Sequence, residues 1–258
     1  MPKHIVSLSP TGTEMLFAIG AGDQVTAVDS YSYYPAEAPV TELSAFQPDV
    51  EAVVSYGPDL VVVSHDPDGF VAGMEAVGVT VLMLPAAETL DDTYTQIEQL
   101  GAATGHVGEA ALLVADMQTE IDEIVSGVPE FDEPPTYFHE LSSSLYSASS
   151  GTFIGQVYGL LGLENIADAA EGGGLYPQLS AEYIIEQDPD FIFLADAACC
   201  GESAETVAAR PGWGEMSAVT GGRVVELDTD VASRWGPRIV EFLKTVAGAV
   251  SKASVPTG

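Results

Sequence analysis

Apolar runs of four or five residues alternate along this chain with longer stretches whose apolar residues recur at three- and four-residue steps. The short runs predict strands at His4–Leu8, Val25–Asp29, Leu60–Ser64 and Thr80–Leu84, then at Thr136–Glu140, Phe191–Ala195 and Val224–Leu227. Strands separated by helical patterns predict an α/β protein with parallel sheets. The first helix is expected to start at Thr11, which stands at capping-box spacing from Glu14. Met15, Phe17 and Ile19 follow, and Gly20 and Gly22 close it. A longer helical pattern runs from His106 to Val125, carrying Ala110, Leu113, Val114, Met117, Ile121 and Ile124. At ~1.5 Å per residue it would span about 30 Å, and a Pro-rich break at Glu130–Pro135 follows it.

One pattern occurs twice. Val50–Val63 aligns without gaps to Ala181–Leu194 at an offset of 131 residues, about half the chain. Each copy reads as a short helix, a Pro-Asp break (Pro58-Asp59, Pro189-Asp190) and a buried strand. Helix–Pro-Asp–strand is also a common α/β connector, but the half-length offset favours two related lobes. The expected organisation is an N-terminal α/β lobe over 1–104, a connecting helix over 105–127 and a C-terminal lobe over 128–258. One long, rigid interlobe helix would join them.

The chain has 258 residues and 47% hydrophobic content, enough for a folded core despite 39 acidic residues against 7 basic ones and a formal charge of −32. Nucleic-acid binding is excluded in practice, because seven basic residues cannot build a phosphate-neutralising surface. An anionic membrane surface is disfavoured for the same reason. The acids are spread along the chain and read as a solvated coat suited to high salt, where screening removes their mutual repulsion. No apolar run approaches the ~20 residues of a spanning helix, and no export signal is visible. The chain opens directly into a strand, as a mature or trimmed chain would.

Catalytic patterns are weak. His4, His65, His106 and His139 show no ligand spacing and read as surface or strand-end residues, and there is no G-x-S-x-G elbow. No catalytic residue, resident metal or cofactor is therefore expected. Cys199 and Cys200 are adjacent after a predicted strand, either as a vicinal disulfide or as two thiols. Tyr31, Tyr33, Tyr34, Phe46, Tyr146, Trp213 and Trp235 lie in irregular segments beside Pro and Gly, the composition expected of the walls of a binding cleft. Arg234 and Arg238, two of only four Arg, would either pair with the acid coat or hold an anionic ligand group.

Ile5-Val6-Ser7-Leu8-Ser9-Pro10 with Thr13-Glu14, Tyr31-Ser32-Tyr33-Tyr34-Pro35, and Pro58-Asp59-Leu60-Val61 resemble segments of a known family. So do Ala208-Ala209-Arg210-Pro211-Gly212-Trp213 and Ser233-Arg234-Trp235-Gly236-Pro237-Arg238. The family is the substrate-binding proteins of ABC importers for vitamin B12, ferric siderophores and haem, and the resemblance is closest to its cobalamin-binding members. It implies two Rossmann-like lobes with mainly parallel sheets, bridged by one long helix, with the ligand held between them. It also implies ligand contact by Tyr31 and by the stretch Asp230, Val231, Ala232, Ser233 and Arg234. Val231 and Ala232 stand where the cobalamin-binding members have aromatics, and Ser64-His65 stands where they have a Trp. His65 therefore joins the expected ligand-binding residues with Tyr34, Phe46, Tyr146, Trp213 and Trp235. The family docks on its permease through one acid per lobe, which the resemblance places at Glu51 and Glu182, equivalent positions of the repeat. A dimeric permease needs two like contacts, and duplicated lobes would supply them.

The expectation is a monomeric, extracytoplasmic, non-enzymatic binding protein (periplasmic or anchored at the cell surface) that delivers a bulky metal chelate to an ABC importer. Corrinoid is the first candidate ligand and ferric siderophore a close second. Haem is third, since Tyr31 or Tyr34 could ligate iron. A ligand-sensing receptor of the same fold and a metal-dependent enzyme on a related two-lobe fold are the alternatives.

Overall fold

The computed structural model describes residues 1–170 and 173–253. The chain divides into two compact units. Unit 1 comprises Met1–Gln118 together with Arg234–Pro237, and unit 2 comprises Thr119–Ser233 with the chain from Arg238 onward.

Unit 1 contains β1 (Ile5–Leu8), α1 (Pro10–Ala18), β2 (Val25–Val28), α2 (Val50–Val54), β3 (Leu60–Val63), α3 (Phe70–Ala76), β4 (Thr80–Met83) and α4 (Leu90–Thr104). The chain then enters α5 (Val107–Ser126), and the division between the units falls within this helix. The four strands form a parallel sheet in the order β2-β1-β3-β4. β1 and β3 occupy the middle and are buried along their whole length, whereas the edge strand β4 is partly exposed. Helices on both faces of a parallel sheet explain why Leu-Val-Val-Val reads as a continuous apolar run rather than an alternating one. Val6, Leu8, Val61 and Val63 pack on one face with Val53 of α2 and Phe70 and Met74 of α3.

Unit 2 contains β5 (Thr136–Glu140), α6 (Phe153–Leu160), β6 (Glu164–Asn165), α7 (Ala181–Gln187), β7 (Phe191–Leu194), α8 (Ala197–Cys200), α9 (Ala204–Ala208), α10 (Ser217–Thr220), β8 (Val224–Glu226), α11 (Thr229–Ser233) and α12 (Ile239–Ala253). Its sheet is again parallel, in the equivalent order β6-β5-β7-β8.

The repeat is structural in detail. Asp49 and Ser180, 131 residues apart, are the N-caps of α2 and α7, accepting from the amides of Ala52 and Tyr183. Val53 and Ile184, the matching helix positions, are fully buried. Each Pro-Asp acid then ties its strand to the first strand of its own sheet. Asp59 Oδ2 accepts from the amides of Lys3 at 2.8 Å and His4 at 3.2 Å, which hold its carboxyl below the ordinary carboxylate range. Asp190 Oδ2 accepts from the Thr136 amide at 2.9 Å and its hydroxyl at 3.2 Å. The same offset also relates the starts of β1 and β5, so the duplication extends beyond the stretch legible as a repeat.

Two sequence expectations are corrected, and one strand is added. The cap of α1 is Ser9, not Thr11: Ser9 Oγ accepts from the Gly12 amide, and Pro10, which has no amide hydrogen, takes the first helical position. Thr11 and Glu14 lie buried inside the helix instead. The two-residue strand β6 carries too few positions to show a pattern. His139 is no strand-end surface residue, because β5 is central and covered on both faces. It is fully buried, with Nδ1 2.8 Å from the Tyr158 hydroxyl, and burial lowers its pKa to about 3.

Candidate functional site

In a parallel sheet every strand ends at the same edge, and the loops leaving that carboxyl edge are where α/β proteins hold ligands. In unit 1 the loop after β2 begins at buried Asp29. Its carboxylate accepts from the Tyr31 amide at 2.8 Å and from Ser32 Oγ at 2.6 Å. Burial raises the Asp29 pKa, while the Ser32 and Tyr31 bonds and the charge of Arg234 act against that rise. With Ser32 drawn inward, Tyr31, Tyr33 and Tyr34 are turned outward, and Tyr31 is 55% exposed.

Phe46, 67% exposed, meets the Tyr31 ring edge-on at 5.7 Å and tilts over His65 at 6.1 Å. His65 follows β3 and is itself exposed. Three rings from two loops, the connection from β2 to α2 and the loop after β3, thus form one open aromatic face. Contiguous exposed apolar surface of this kind marks a binding site more often than chance.

The segment Arg234–Pro237 supports that face from behind. Arg234 Nη1 donates to Glu14 Oε1 of α1 at 2.7 Å, Nη2 donates to the Tyr31 carbonyl at 3.2 Å, and the guanidinium lies 5.4 Å from the Tyr33 ring centre. Of the two readings offered for Arg234, pairing with an acid is therefore the one the structure shows. Its acid is the nearly buried Glu14 rather than the surface coat. Half-buried Trp235 donates from Nε1 to Gln96 Oε1 at 3.0 Å, and Gln96 Nε2 donates to the Pro85 carbonyl after β4.

Unit 2 presents a different edge. Tyr146 is exposed on the loop after β5, and its backbone bridges to Gln178. In α11, Asp230 is partly buried and Ser233 is exposed with its hydroxyl bonded to the Thr229 carbonyl. Val231 and Ala232 are buried, so neither expected ligand-binding residue exposes more than a trace of side chain. Trp213 is also removed from the expected ligand-binding set. It is 1% exposed, packed edge-on against Phe138 at 6.2 Å with the Arg210 guanidinium 4.7 Å from its ring centre. The Pro-Gly turn before it folds the ring inward. Cys199 and Cys200 form a vicinal disulfide, and they close the short helix α8 rather than lying in a loop. Among the described residues no group of three or more His, Cys, Asp or Glu is placed to hold a metal ion.

Two features of this edge were not anticipated. Glu140, the last residue of β5, is fully buried and receives two 2.6 Å bonds from Arg210, which also bonds Glu202 at 2.8 Å. The only signal was a Glu ending a strand, Thr136–Glu140, whose remaining residues are mostly aromatic. Beside it Asp196, 1% exposed after β7, takes no hydrogen bond from another residue on either oxygen. Burial, then the nearby Glu202 charge, raises its pKa above the ordinary 3.8. An acid raised in the folded state favours folding below its unfolded pKa and loses that contribution as pH rises. Asp196→Asn is therefore expected to stabilise the protein by about 1 kcal/mol at pH 7. The gain should vanish below pH ~4, as read from urea midpoints across pH. A constant difference at all pH values would contradict the assignment.

Two parallel-sheet α/β units, joined through a helix and presenting aromatic loops at their strand ends, define a solute-binding fold. Residues 5–231 match the family described as periplasmic binding protein, and the chain belongs to that family. It is 32% identical over 260 residues to an ABC transporter substrate-binding lipoprotein of Bacillus subtilis, covering 96% of this chain and 80% of that one. It is 30% identical over 263 residues to a cobalamin-binding protein of Halobacterium salinarum, covering 98% of this chain and 71% of the relative. Among solved structures it is similar to the apo form of a periplasmic haem-binding protein of Roseiflexus sp. RS-1, with a TM-score of 0.84 at 25% identity, covering 98% of this chain and 99% of that one. Among the described residues no helix is long and apolar enough to cross a membrane.

Proposed function

We propose that this protein is an extracytoplasmic, non-enzymatic solute-binding protein that carries a bulky metal chelate to an ABC importer. Corrinoid is the first ligand and ferric siderophore the second. The observation that carries this reading is the open aromatic face of Tyr31, Phe46 and His65 at the carboxyl edge of the unit 1 sheet. Rings offer flat apolar area at low entropic cost, which suits a large, flat ligand. Arg234 serves as a positioning residue, holding the Tyr31 carbonyl against α1. The transport relatives support delivery to a permease, and the cobalamin-binding relative favours the corrinoid over the siderophore.

The test is a titration with cyanocobalamin, a ferric hydroxamate siderophore and haemin. Half-buried Trp235, next to the Arg234 that bonds the Tyr31 carbonyl, reports by fluorescence, whereas the core Trp213 supplies a constant background. Saturable binding of cyanocobalamin at micromolar concentration or below is expected, with Phe46→Ala weakening it about tenfold. Preference for the siderophore or haemin would move the ligand assignment within the same reading. Absence of binding to all three, or turnover of any of them, would overturn it.

A further inference from the structure

Of the four histidines, only one is an open imidazole at a ligand-facing edge. His4 precedes β1 at the opposite end of the strands, and His106 is part-buried with Nδ1 against Thr104 Oγ1 at 3.2 Å. His139 is sealed in the unit 2 core. His65 stands at the carboxyl end of β3, exposed, with its ring beside Phe46. Its Nδ1 lies 3.2 Å from Ser64 Oγ, and among the described residues no hydrogen bond to Nε2 is present. When Nδ1–H donates to the serine hydroxyl, Nε2 carries the unprotonated lone pair. That tautomer leaves Nε2 free to ligate a metal, since the hydrogen bond at one ring nitrogen sets the other as the ligand.

We propose that His65 Nε2 coordinates the metal of the bound chelate, replacing an exchangeable axial water. This rests on the chelate-binding reading above and gives it a residue-level chemistry. The chemistry is shared by any flat macrocycle whose metal has an open or water-filled axial position. A ligand settling on the Tyr31–Phe46–His65 face meets ring surface from the first two residues and a nitrogen donor from the third. The exchange is a simple substitution. The metal–oxygen bond to water breaks, a metal–nitrogen bond forms, water leaves, and no electron or net proton is transferred.

Three ligands separate the outcomes. Aquocobalamin has a replaceable water, cyanocobalamin has both axial positions filled, and haemin presents exchangeable iron. Aquocobalamin bound to the unaltered protein is expected to show the visible-band shift of nitrogen ligation, and His65→Ala should abolish it. His65→Ala removes one ring of the face and should weaken both corrinoids, but aquocobalamin affinity should fall at least about tenfold further than cyanocobalamin affinity. His65→Gln, which keeps a polar side chain of similar length, should behave like His65→Ala. With haemin, loss of a low-spin nitrogen-ligated spectrum in His65→Ala but not in Tyr31→Phe or Tyr34→Phe would support the same assignment. If cyanocobalamin binds but the aquocobalamin spectrum is unmoved, or moves equally in His65→Ala, the inference is overturned and the chelate-binding reading stands. Equal weakening of both corrinoids in His65→Ala would make the ring a stacking surface and also overturn it. If no chelate binds at all, both readings fall.

Discussion

Arg210→Met is expected to destabilise the protein by about 3–5 kcal/mol, the cost of leaving a buried charge without its partner. Glu140 has no exposed side-chain surface, and both its oxygens are bonded by the Arg210 guanidinium at 2.6 Å. The same guanidinium reaches Glu202, whose Oε2 also accepts from Thr206 Oγ1 at 2.8 Å, and stacks over Trp213. Met would still cover the Trp213 ring, so the expected loss is electrostatic rather than a cavity. Burial already raises the Glu140 pKa, with Arg210 as the main opposing influence. Without Arg210 the rise should be larger. A raised acid loses its contribution as pH increases, so the variant should be least impaired at mildly acid pH and worst at neutral pH. Urea midpoints measure the effect. The double variant Glu140→Gln/Arg210→Met should recover most of the loss, because no buried charge remains. A loss below about 1 kcal/mol for Arg210→Met would place the pair among weak surface bridges instead.

Joint charge reversal, Glu51→Lys with Glu182→Lys, is expected to leave chelate affinity and folding intact while abolishing importer-coupled uptake. Both acids are exposed in the first turns of α2 and α7, two residues after the equivalent caps Asp49 and Ser180. A Lys in a first turn opposes the helix dipole, but at exposed sites this costs only about 0.3–1 kcal/mol each. A transport defect could therefore not be ascribed to unfolding. Neither acid is one of the residues that form the aromatic face of Tyr31, Phe46 and His65. Uptake of radiolabelled ligand into vesicles or cells carrying the importer, beside a binding titration, separates the two effects. Lost binding with normal thermal unfolding would assign the acids to the ligand instead, and unchanged uptake would remove the docking role.

The elements most legible in the sequence were those whose cause is local. Strand runs such as Leu60–Val63 and Phe191–Leu194 are buried on both faces and so read as unbroken apolar stretches. The Pro-Asp breaks stood out because Pro ends a helix wherever it occurs. Even the misplaced first cap erred by two residues, between two hydroxyl side chains that both suit the position.

The aromatic residues were harder to place. Tyr31, Phe46 and Trp213 share a setting of Gly and Pro, yet the first two are exposed and the third is core. Composition cannot separate them, because the decision depends on whether a loop folds over a sheet face or leaves its edge. The residues that support the aromatic face were equally hidden: Glu14 and Arg234 pair across 220 positions.

By itself, then, the sequence determined most of the strands and the duplication, which rest on periodicity and spacing over short stretches, and the resemblance of a few segments gave the family. Only the tertiary structure decided which side chains meet at the carboxyl edges. Strand order β2-β1-β3-β4 brings the loops after β2 and β3 together around Phe46, and the return of Arg234–Pro237 to unit 1 adds the supporting charge. Those meetings join residues far apart in the chain, and no local preference encodes them.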